Sequence, residues 1–154
     1  MTSIPSFHSF IIRQIGHPRH VLRFCWNWFA KPLRAESFTG FWRLWNPVFG
    51  YVLLFFVYRP IRRHIPRFAA TFVTFCVSGF VLHEIPFGVG VQLLRGHRVA
   101  PEVMILLMVF GGLVVLTEAV GMNLSAYPIW VRVVANAGLL VLGFLIRHMI
   151  LILL

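Results

Sequence analysis

Two adjacent ionisable residues, His83 and Glu84, interrupt an apolar run that is otherwise typical of a membrane helix. An ionisable side chain is costly at membrane depth, so it usually faces a bundle interior, a partner or a water-filled cavity. A neutral imidazole there can accept a proton from a hydroxyl nucleophile. Neighbouring helix positions diverge by about 100°, so Glu84 is expected to orient or support the structure rather than act beside His83. The alternative is a structural histidine that hydrogen-bonds a neighbouring helix and holds a kink at Pro86.

Asn46 and a set of arginines precede the histidine. Asn before Pro is common in turns and helix caps, so Asn46 alone is weak evidence of a functional role. Guanidinium groups suit phosphate through bidentate hydrogen bonds. They also anchor a chain to anionic lipid head groups, and the sequence leaves both interpretations open. The candidate arginines are Arg43, Arg59, Arg62, Arg63 and Arg67.

Two further polar positions lie near the ends of later apolar segments. Glu118 is predicted to pair with an arginine, to pair with His83, or simply to reach the membrane interface. Arg147 and His148 are predicted to anchor a helix at the interface or to contact another helix.

The composition indicates a membrane protein. Hydrophobic residues make up 59% of the 154 residues and charged residues 12%, with a mean hydropathy of +0.84. A soluble domain carries roughly a quarter charged residues. The net charge of +10 could attract nucleic acid, but so apolar a chain does not form a solvated basic domain. Membrane lipids or an anionic cosubstrate are the expected partners, and nucleic acid is not.

The sequence predicts neither a disulfide framework nor a metal site. Cys25 and Cys76 have no framework spacing, and the N-terminal histidines lack the tight spacing of metal ligands. The N-terminus also shows no small-residue cleavage pattern. Insertion into a membrane is therefore expected to use internal helices rather than a secretory signal.

These features predict an all-α membrane protein with about three transmembrane helices, N-terminal interfacial helices and one short re-entrant or interfacial helix. The predicted spans cover residues 68–94, 103–120 and 133–154. Residues 48–58 are equally apolar but too short to cross a hydrocarbon core of about 30 Å.

The chain is predicted to divide near residue 46. Four of the five tryptophans lie before that point, beside arginines, which favours the head-group boundary. Residues 1–46 are therefore expected to form an interfacial aromatic and basic region, and residues 47–154 the membrane-embedded domain. Ser37 or Thr39 is expected to cap a helix that leads to Asn46, with Pro47 starting the next one.

Prolines and glycines predict finer details of the helices. Pro60 and Pro66 are expected to break any helix around the basic cluster. Pro86 is the expected kink site of the first span. The paired Gly111 and Gly112 would let a neighbouring helix approach closely.

The distribution of arginines predicts an orientation in the membrane. Five lie in residues 59–67 and 121–132, against two in residues 95–102. The positive-inside rule places the first two segments, with the N-terminal region, in the cytosol.

Three separated motifs, taken in order, resemble a known family. They are residues 41–46 (FWRLWN), residues 57–60 (VYRP) and residues 75–84 (FCVSGFVLHE). Together they resemble the membrane-bound O-acyltransferase family, in particular its wax synthase and its diacylglycerol or sterol acyltransferase branches. The resemblance covers about a third of the chain, roughly residues 37–87.

The resemblance implies transfer of an acyl group from acyl-CoA to a hydroxyl of a lipid-type acceptor, with no metal or resident cofactor. His83 would be the general base and Asn46 the polar partner that positions or stabilises the reacting groups. The five arginines would attract the phosphates of CoA, which is an argument from charge alone. Members of the family are longer, so the chain is expected to be short or partial, completed by an oligomer or a missing subunit.

Two alternatives to catalysis come from other functional classes. One is a non-catalytic membrane assembly protein, or an inactive fragment of such an enzyme, acting through helix packing. The other is a small ion or proton conduit that uses His83, Glu84 and Glu118.

Overall fold

The computed structural model describes residues 4–16, 21–88 and 102–153, and this part of the chain is helical without any strand. Its α-helices and two π-helical segments follow in chain order, with our labels: α1 (Phe7–Ile15), α2 (Val21–Leu33), α3 (Phe38–Leu44), α4 (Pro47–Val52), π1 (Leu53–Tyr58), α5 (Arg59–Arg62), α6 (Arg67–Val77), π2 (Ser78–Gly88), α7 (Glu102–Ala119) and α8 (Ile129–Leu153).

Two helices, α7 and α8, are long and apolar enough to cross a membrane. They contain 18 and 25 residues, which corresponds to roughly 27 and 37 Å of helix. Helix α7 agrees with the predicted second span to within one residue at each end. Helix α8 begins four residues before the predicted third span, inside the segment predicted to be a loop. The predicted all-helical fold is therefore confirmed for the described residues, and two of its helices could span a membrane, while the number of spans stays a prediction.

The predicted first span corresponds to α6 and π2. The helix begins at Arg67 and changes to π-helical geometry at Ser78, which continues through Pro86 to Gly88. Residues 89–94 of the predicted span lie outside the described part of the chain.

The chain turns sharply between α3 and the helix that follows it. Ser37 caps α3, with its hydroxyl accepting a hydrogen bond from the Gly40 amide at 3.0 Å. Helix α3 ends at Leu44, and Pro47 starts α4. The axes of Phe38–Leu44 and Pro47–Arg62 differ by 99°, as in a broken span or a re-entrant loop. Whether this segment crosses a membrane or re-enters it stays a prediction.

The prediction that Pro60 breaks the helix is wrong. Helical geometry runs from Pro47 to Arg62, with Pro60 inside its last turn. The proline ring normally clashes with the carbonyl four residues earlier, but the wider turn of the preceding π1 segment leaves room for it. Pro66, by contrast, lies between helices and caps α6.

The core lies where α3 packs into the long helices. Phe38, Phe41 and Phe110 are almost completely buried. The ring of Phe38 contacts those of Phe41 and Phe110, and all three contact Trp42. The same cluster contains Leu113 and Val114 of α7. Residues on both sides of the predicted division near residue 46 thus share one core, and the division itself stays a prediction.

Glycines mark the close helix contacts. A Cβ atom at Gly111 would lie 2.7 Å from the Cβ of Phe75 in α6, whereas one at Gly112 would meet nothing within 4 Å. One at Gly79 would lie 3.0 Å from the backbone of Met104 in α7. The predicted close approach at the glycine pair therefore belongs to Gly111, and α7 packs tightly on both α6 and π2.

Candidate functional site

His83 lies half-buried in π2, where its ring faces two partners. Its Nδ1 is 2.8 Å from the carbonyl oxygen of Ser78, five residues earlier, which is the spacing of a π-helical turn. Its ring also makes an edge-on contact with Phe49, with ring centroids 5.3 Å apart. Irregular helical turns of this kind often occur at functional positions.

The contact with Ser78 determines which ring nitrogen of His83 is available. A carbonyl oxygen only accepts hydrogen bonds, so Nδ1 must carry the proton that it donates. In the neutral imidazole this leaves Nε2 unprotonated. The geometry therefore orients the ring and leaves Nε2 with the lone pair that a general base requires.

Asn46 occupies the corner between α3 and α4. Its backbone has φ 43° and ψ 74°, the left-handed region that Asn tolerates better than most residues. Its Oδ1 accepts a hydrogen bond from the amide of Phe49 at 3.4 Å and so caps α4. This arrangement explains Asn46 as a corner and a cap, and its Nδ2 makes no hydrogen bond within the described residues.

Phe49 connects the two residues that the motifs single out. Its amide bonds to Asn46 and its ring contacts His83. Two clefts in the described part of the chain are lined by neither Asn46 nor His83.

The five arginines predicted to bind phosphate do not all line the same cleft. Arg43 and Arg67 line one cleft, and Arg59 lines another. Arg62 donates to the backbone of its own turn, and the exposed Arg63 lines neither cleft. These five residues therefore do not line one common cleft.

The first cleft, here called the Glu118 cleft, has a volume of about 400 Å³. Oε1 of Glu118 accepts hydrogen bonds from the Thr39 hydroxyl at 2.9 Å and from Arg67 Nη2 at 2.7 Å. The Glu118 side chain is only 11% exposed, and its Oε2 is buried without a partner in the described residues. Of the three interpretations of Glu118, pairing with an arginine is the one observed. Other polar lining residues are Glu36, Ser37, Arg43 and Asn123.

The second cleft, here called the Arg59 cleft, has a volume of about 450 Å³ and lies between α1 and the π1–α5 segment. The guanidinium of Arg59 lies over the ring of Phe55, 4.3 Å from its centroid. Arg13 of α1 lines the same cleft, whose described lining contains no carboxylate. Sequence reasoning missed Arg13, because nothing in the spacing indicates that a residue 46 positions before Arg59 lies beside it.

Two other polar predictions have structural partners. Arg147, near the end of α8, pairs with Glu102, the first residue of α7. Arg147 therefore forms a helix–helix contact. Within the described residues no group of three potential metal ligands occurs. The side chain of Glu84 lies outside the described part.

Comparisons with protein-family models, with curated proteins and with solved structures each find no match for this chain.

Proposed function

We propose that the chain is a membrane-bound O-acyltransferase-like protein that transfers an acyl group from acyl-CoA to a hydroxyl of a lipid-type acceptor. Nε2 of His83 takes the proton of the acceptor hydroxyl while its oxygen attacks the thioester carbonyl. The C–S bond then breaks, and the CoA thiolate leaves with the proton from the imidazolium. The three motifs in residues 37–87 motivate this reaction class.

The single observation that carries the proposal is the hydrogen bond between His83 and Ser78. Here Nδ1 is engaged by a backbone acceptor, and the remaining nitrogen is the one that can act as a base. The Ser78 carbonyl also holds the ring in one orientation, as a general base requires.

Asn46 contributes an amide donor to the same proposal. Its Oδ1 is used by the cap, so its Nδ2 is the group that can hydrogen-bond the developing oxyanion of the thioester. The link through Phe49 supports placing the two side chains on one reaction centre.

The Arg59 cleft is our candidate for the CoA phosphates. It presents two guanidinium groups, Arg13 and Arg59, and no described carboxylate, so its field favours a polyanion. Arg59 lies ten residues beyond Phe49, which is roughly 15 Å along a helix. That separation suits a cosubstrate whose phosphates are remote from its thioester.

The membrane arrangement that we propose has three spans: α7, α8 and the segment that begins with α6. The bent pair of α3 and Pro47–Arg62 would form the re-entrant element. The chamber would be completed by membrane lipid, a second copy or another subunit, because few helices surround π2.

The experiment is acyl-CoA turnover by the purified chain in lipid nanodiscs, with fatty alcohol, diacylglycerol and sterol acceptors. We expect CoA release that depends on an acceptor and falls by about 100-fold or more in His83→Ala, the contribution typical of a general base. The matched control is His148→Ala, an exposed histidine at the end of α8. Absence of turnover with every acceptor, or equal turnover by the His83 variant, contradicts the proposal.

A second variant separates the two roles of Asn46. Asn46→Asp keeps the capping oxygen and tolerates the left-handed backbone, but it removes the Nδ2 donor. We expect normal folding and a rate reduced by about 10- to 1,000-fold, as for an oxyanion donor. An unchanged rate would mean that Asn46 has only its structural role at the corner between α3 and α4.

Assembly without catalysis is the second candidate, and α8 is the observation that favours it. Only 11% of its most apolar 18-residue window is buried, and large side chains such as Phe144, Leu145 and Met149 are exposed. Such a face can contact lipid or another helix. An inactive chain that forms a stable oligomer in nanodiscs would favour this candidate.

A further inference from the structure

The Glu118 cleft carries charges of both signs in equal number. Two carboxylates, Glu36 and Glu118, and two guanidinium groups, Arg43 and Arg67, line it. Glu36 pairs with Arg132 and Glu118 pairs with Arg67, which leaves Oε2 of Glu118 and the guanidinium of Arg43 as the charged groups without a partner among the described residues. The ligand that best complements the Glu118 cleft therefore carries one positive and one negative group.

The two carboxylate oxygens of Glu118 in this cleft differ in their hydrogen bonds. Oε1 of Glu118 already accepts two hydrogen bonds, but the buried Oε2 has no donor among the described residues. A buried carboxylate oxygen without a donor is costly, so this position favours a ligand with an N–H group. Oε2 is covered in the structure, so the proposal requires a neighbouring side chain to move when the ligand binds, and the Arg67 side chain beside it is 53% exposed.

Arg43 supplies the positive charge that would bind the negative group of the ligand. Its guanidinium is exposed, lines the cleft, and makes no hydrogen bond or ion pair within the described residues. It is therefore free to form the bidentate contact with a phosphate oxygen pair for which arginine is suited.

The cleft lies at the level where a lipid head group would be. Glu118 is in the last turn of α7, whose length of roughly 27 Å matches a hydrocarbon core. Tyr127, just before α8, and Trp130, in its first turn, are both exposed, and these residue types mark a membrane interface. The opening of the cleft at this end is thus positioned beside lipid head groups.

We propose that the Glu118 cleft binds a phospholipid head group in which a phosphate is joined to a primary ammonium. Arg43 holds the phosphate, and Glu118 accepts hydrogen bonds from the ammonium through Oε2. A quaternary ammonium has no N–H to donate and does not satisfy that oxygen. This assignment does not depend on acyl transfer, since it uses none of the residues of the proposed reaction centre.

The test measures lipid binding by native mass spectrometry of the full chain from phosphatidylcholine nanodiscs. The probes are dihexanoyl phosphatidylethanolamine and dihexanoyl phosphatidylglycerol, titrated separately. We expect the ethanolamine lipid to bind about tenfold more tightly, the effect of one good charge-assisted hydrogen bond. O-Phosphoethanolamine should compete, because the head group and not the acyl chain is recognised.

Variants assign the two halves of the cleft. Arg43→Gln should weaken both probes by about tenfold without affecting folding, because the Arg43 side chain makes no hydrogen bond or ion pair within the described residues. Glu118→Gln should abolish the preference for the ethanolamine lipid. Arg63→Gln, an exposed arginine outside the cleft, is the matched control and should bind both probes like the unmodified chain.

Three outcomes overturn the assignment. The first is equal or tighter binding of the glycerol lipid, which would mean anion recognition only. The second is equal loss of binding in Arg43→Gln and Arg63→Gln, which would mean unspecific surface charge. The third is failure of O-phosphoethanolamine to compete, which would mean recognition of the acyl chains.

Discussion

At the scale of single residues, Asn136 shows how a polar side chain in α8 holds the N-terminal helices. The residue is 0% exposed, and its Nδ2 donates to the carbonyl oxygens of Leu33 and Ala35, each at 3.0 Å. Those carbonyls lie at and just after the end of α2, where a helix leaves acceptors without partners. Asn136 therefore acts as a C-terminal cap supplied by a distant helix.

We predict that Asn136→Ala lowers the free energy of unfolding by about 2 kcal/mol, because two buried carbonyls lose their donor at about 1 kcal/mol each. The loss stays near this value because Oδ1 has no partner in the described residues, so its removal costs nothing. Denaturant unfolding in bicelles, followed by tryptophan fluorescence, measures the change. His148→Ala, at an exposed polar residue of the same helix whose side chain makes no hydrogen bond within the described residues, is the control and should change stability by about 0.5 kcal/mol or less.

The sequence shows which polar residues interrupt apolar segments, but it does not show which residues they contact in the fold. Asn136 was recognised only as part of an apolar segment, and its acceptors lie 101 and 103 positions away. Glu118 had three open interpretations, and Arg67, 51 positions away, is its observed partner. Such pairs follow from how helices pack, which local spacing does not encode. The tautomer of His83 depends on a π-helical turn and was equally inaccessible.

At the scale of elements, the contact between α7 and α8 rests on a glycine facing a ring. A Cβ atom at Gly143 would overlap with Cε1 of Phe110. The Phe110 ring cannot move aside easily, because it is 3% exposed and contacts the rings of Phe38, Trp42 and Phe144. The absence of a side chain at Gly143 is thus what allows α8 to pack on the aromatic core.

We predict that Gly143→Ala destabilises the protein by about 1–3 kcal/mol, the usual cost of overpacking a well-filled core. Gly138→Ala is the matched control on the same helix, since a Cβ there meets nothing within 4 Å. It should be neutral or stabilise by up to about 1 kcal/mol through helix propensity. Thermal unfolding of both variants in the same detergent compares them, and equal effects would contradict the packing argument.

The elements themselves were predictable to different degrees. Long apolar runs gave α7 within one residue at each end, because a membrane helix is specified by hydropathy and length. The π-helical geometry of Leu53–Tyr58 and Ser78–Gly88 was not foreseen, because its pattern of side chains resembles that of an α-helix. Because the π-helical turn before Pro60 is not evident from the sequence, Pro60 was wrongly expected to break the helix.

At the scale of the whole molecule, ion pairs lie at the two ends of an otherwise apolar bundle. Arg67 pairs with Glu118 at one end, and Arg147 pairs with Glu102 at the other. Between them, α7 and α8 present mostly apolar side chains. This distribution is what a bilayer requires, with charges outside a hydrocarbon core of about 30 Å.

This arrangement predicts which segments share a side of the membrane. The 2.7 Å contact between Arg67 and Glu118 places the basic cluster beside the loop after α7. Cysteines introduced at Arg63 and Ser125, both exposed, should therefore react with an impermeant maleimide from the same side, which the positive-inside rule makes the cytosol. The background is a chain with Cys25 and Cys76 replaced by serine.

The opposite end supplies the control for that labelling. His148 is exposed and lies beside Arg147, roughly 30 Å along α8 from its first turn. A cysteine at His148 should react only from the side opposite to the cysteines at positions 63 and 125. If all three reacted from one side, α8 would lie along the membrane rather than across it. If positions 63 and 125 reacted from opposite sides, the ion pair between Arg67 and Glu118 could not exist in the membrane.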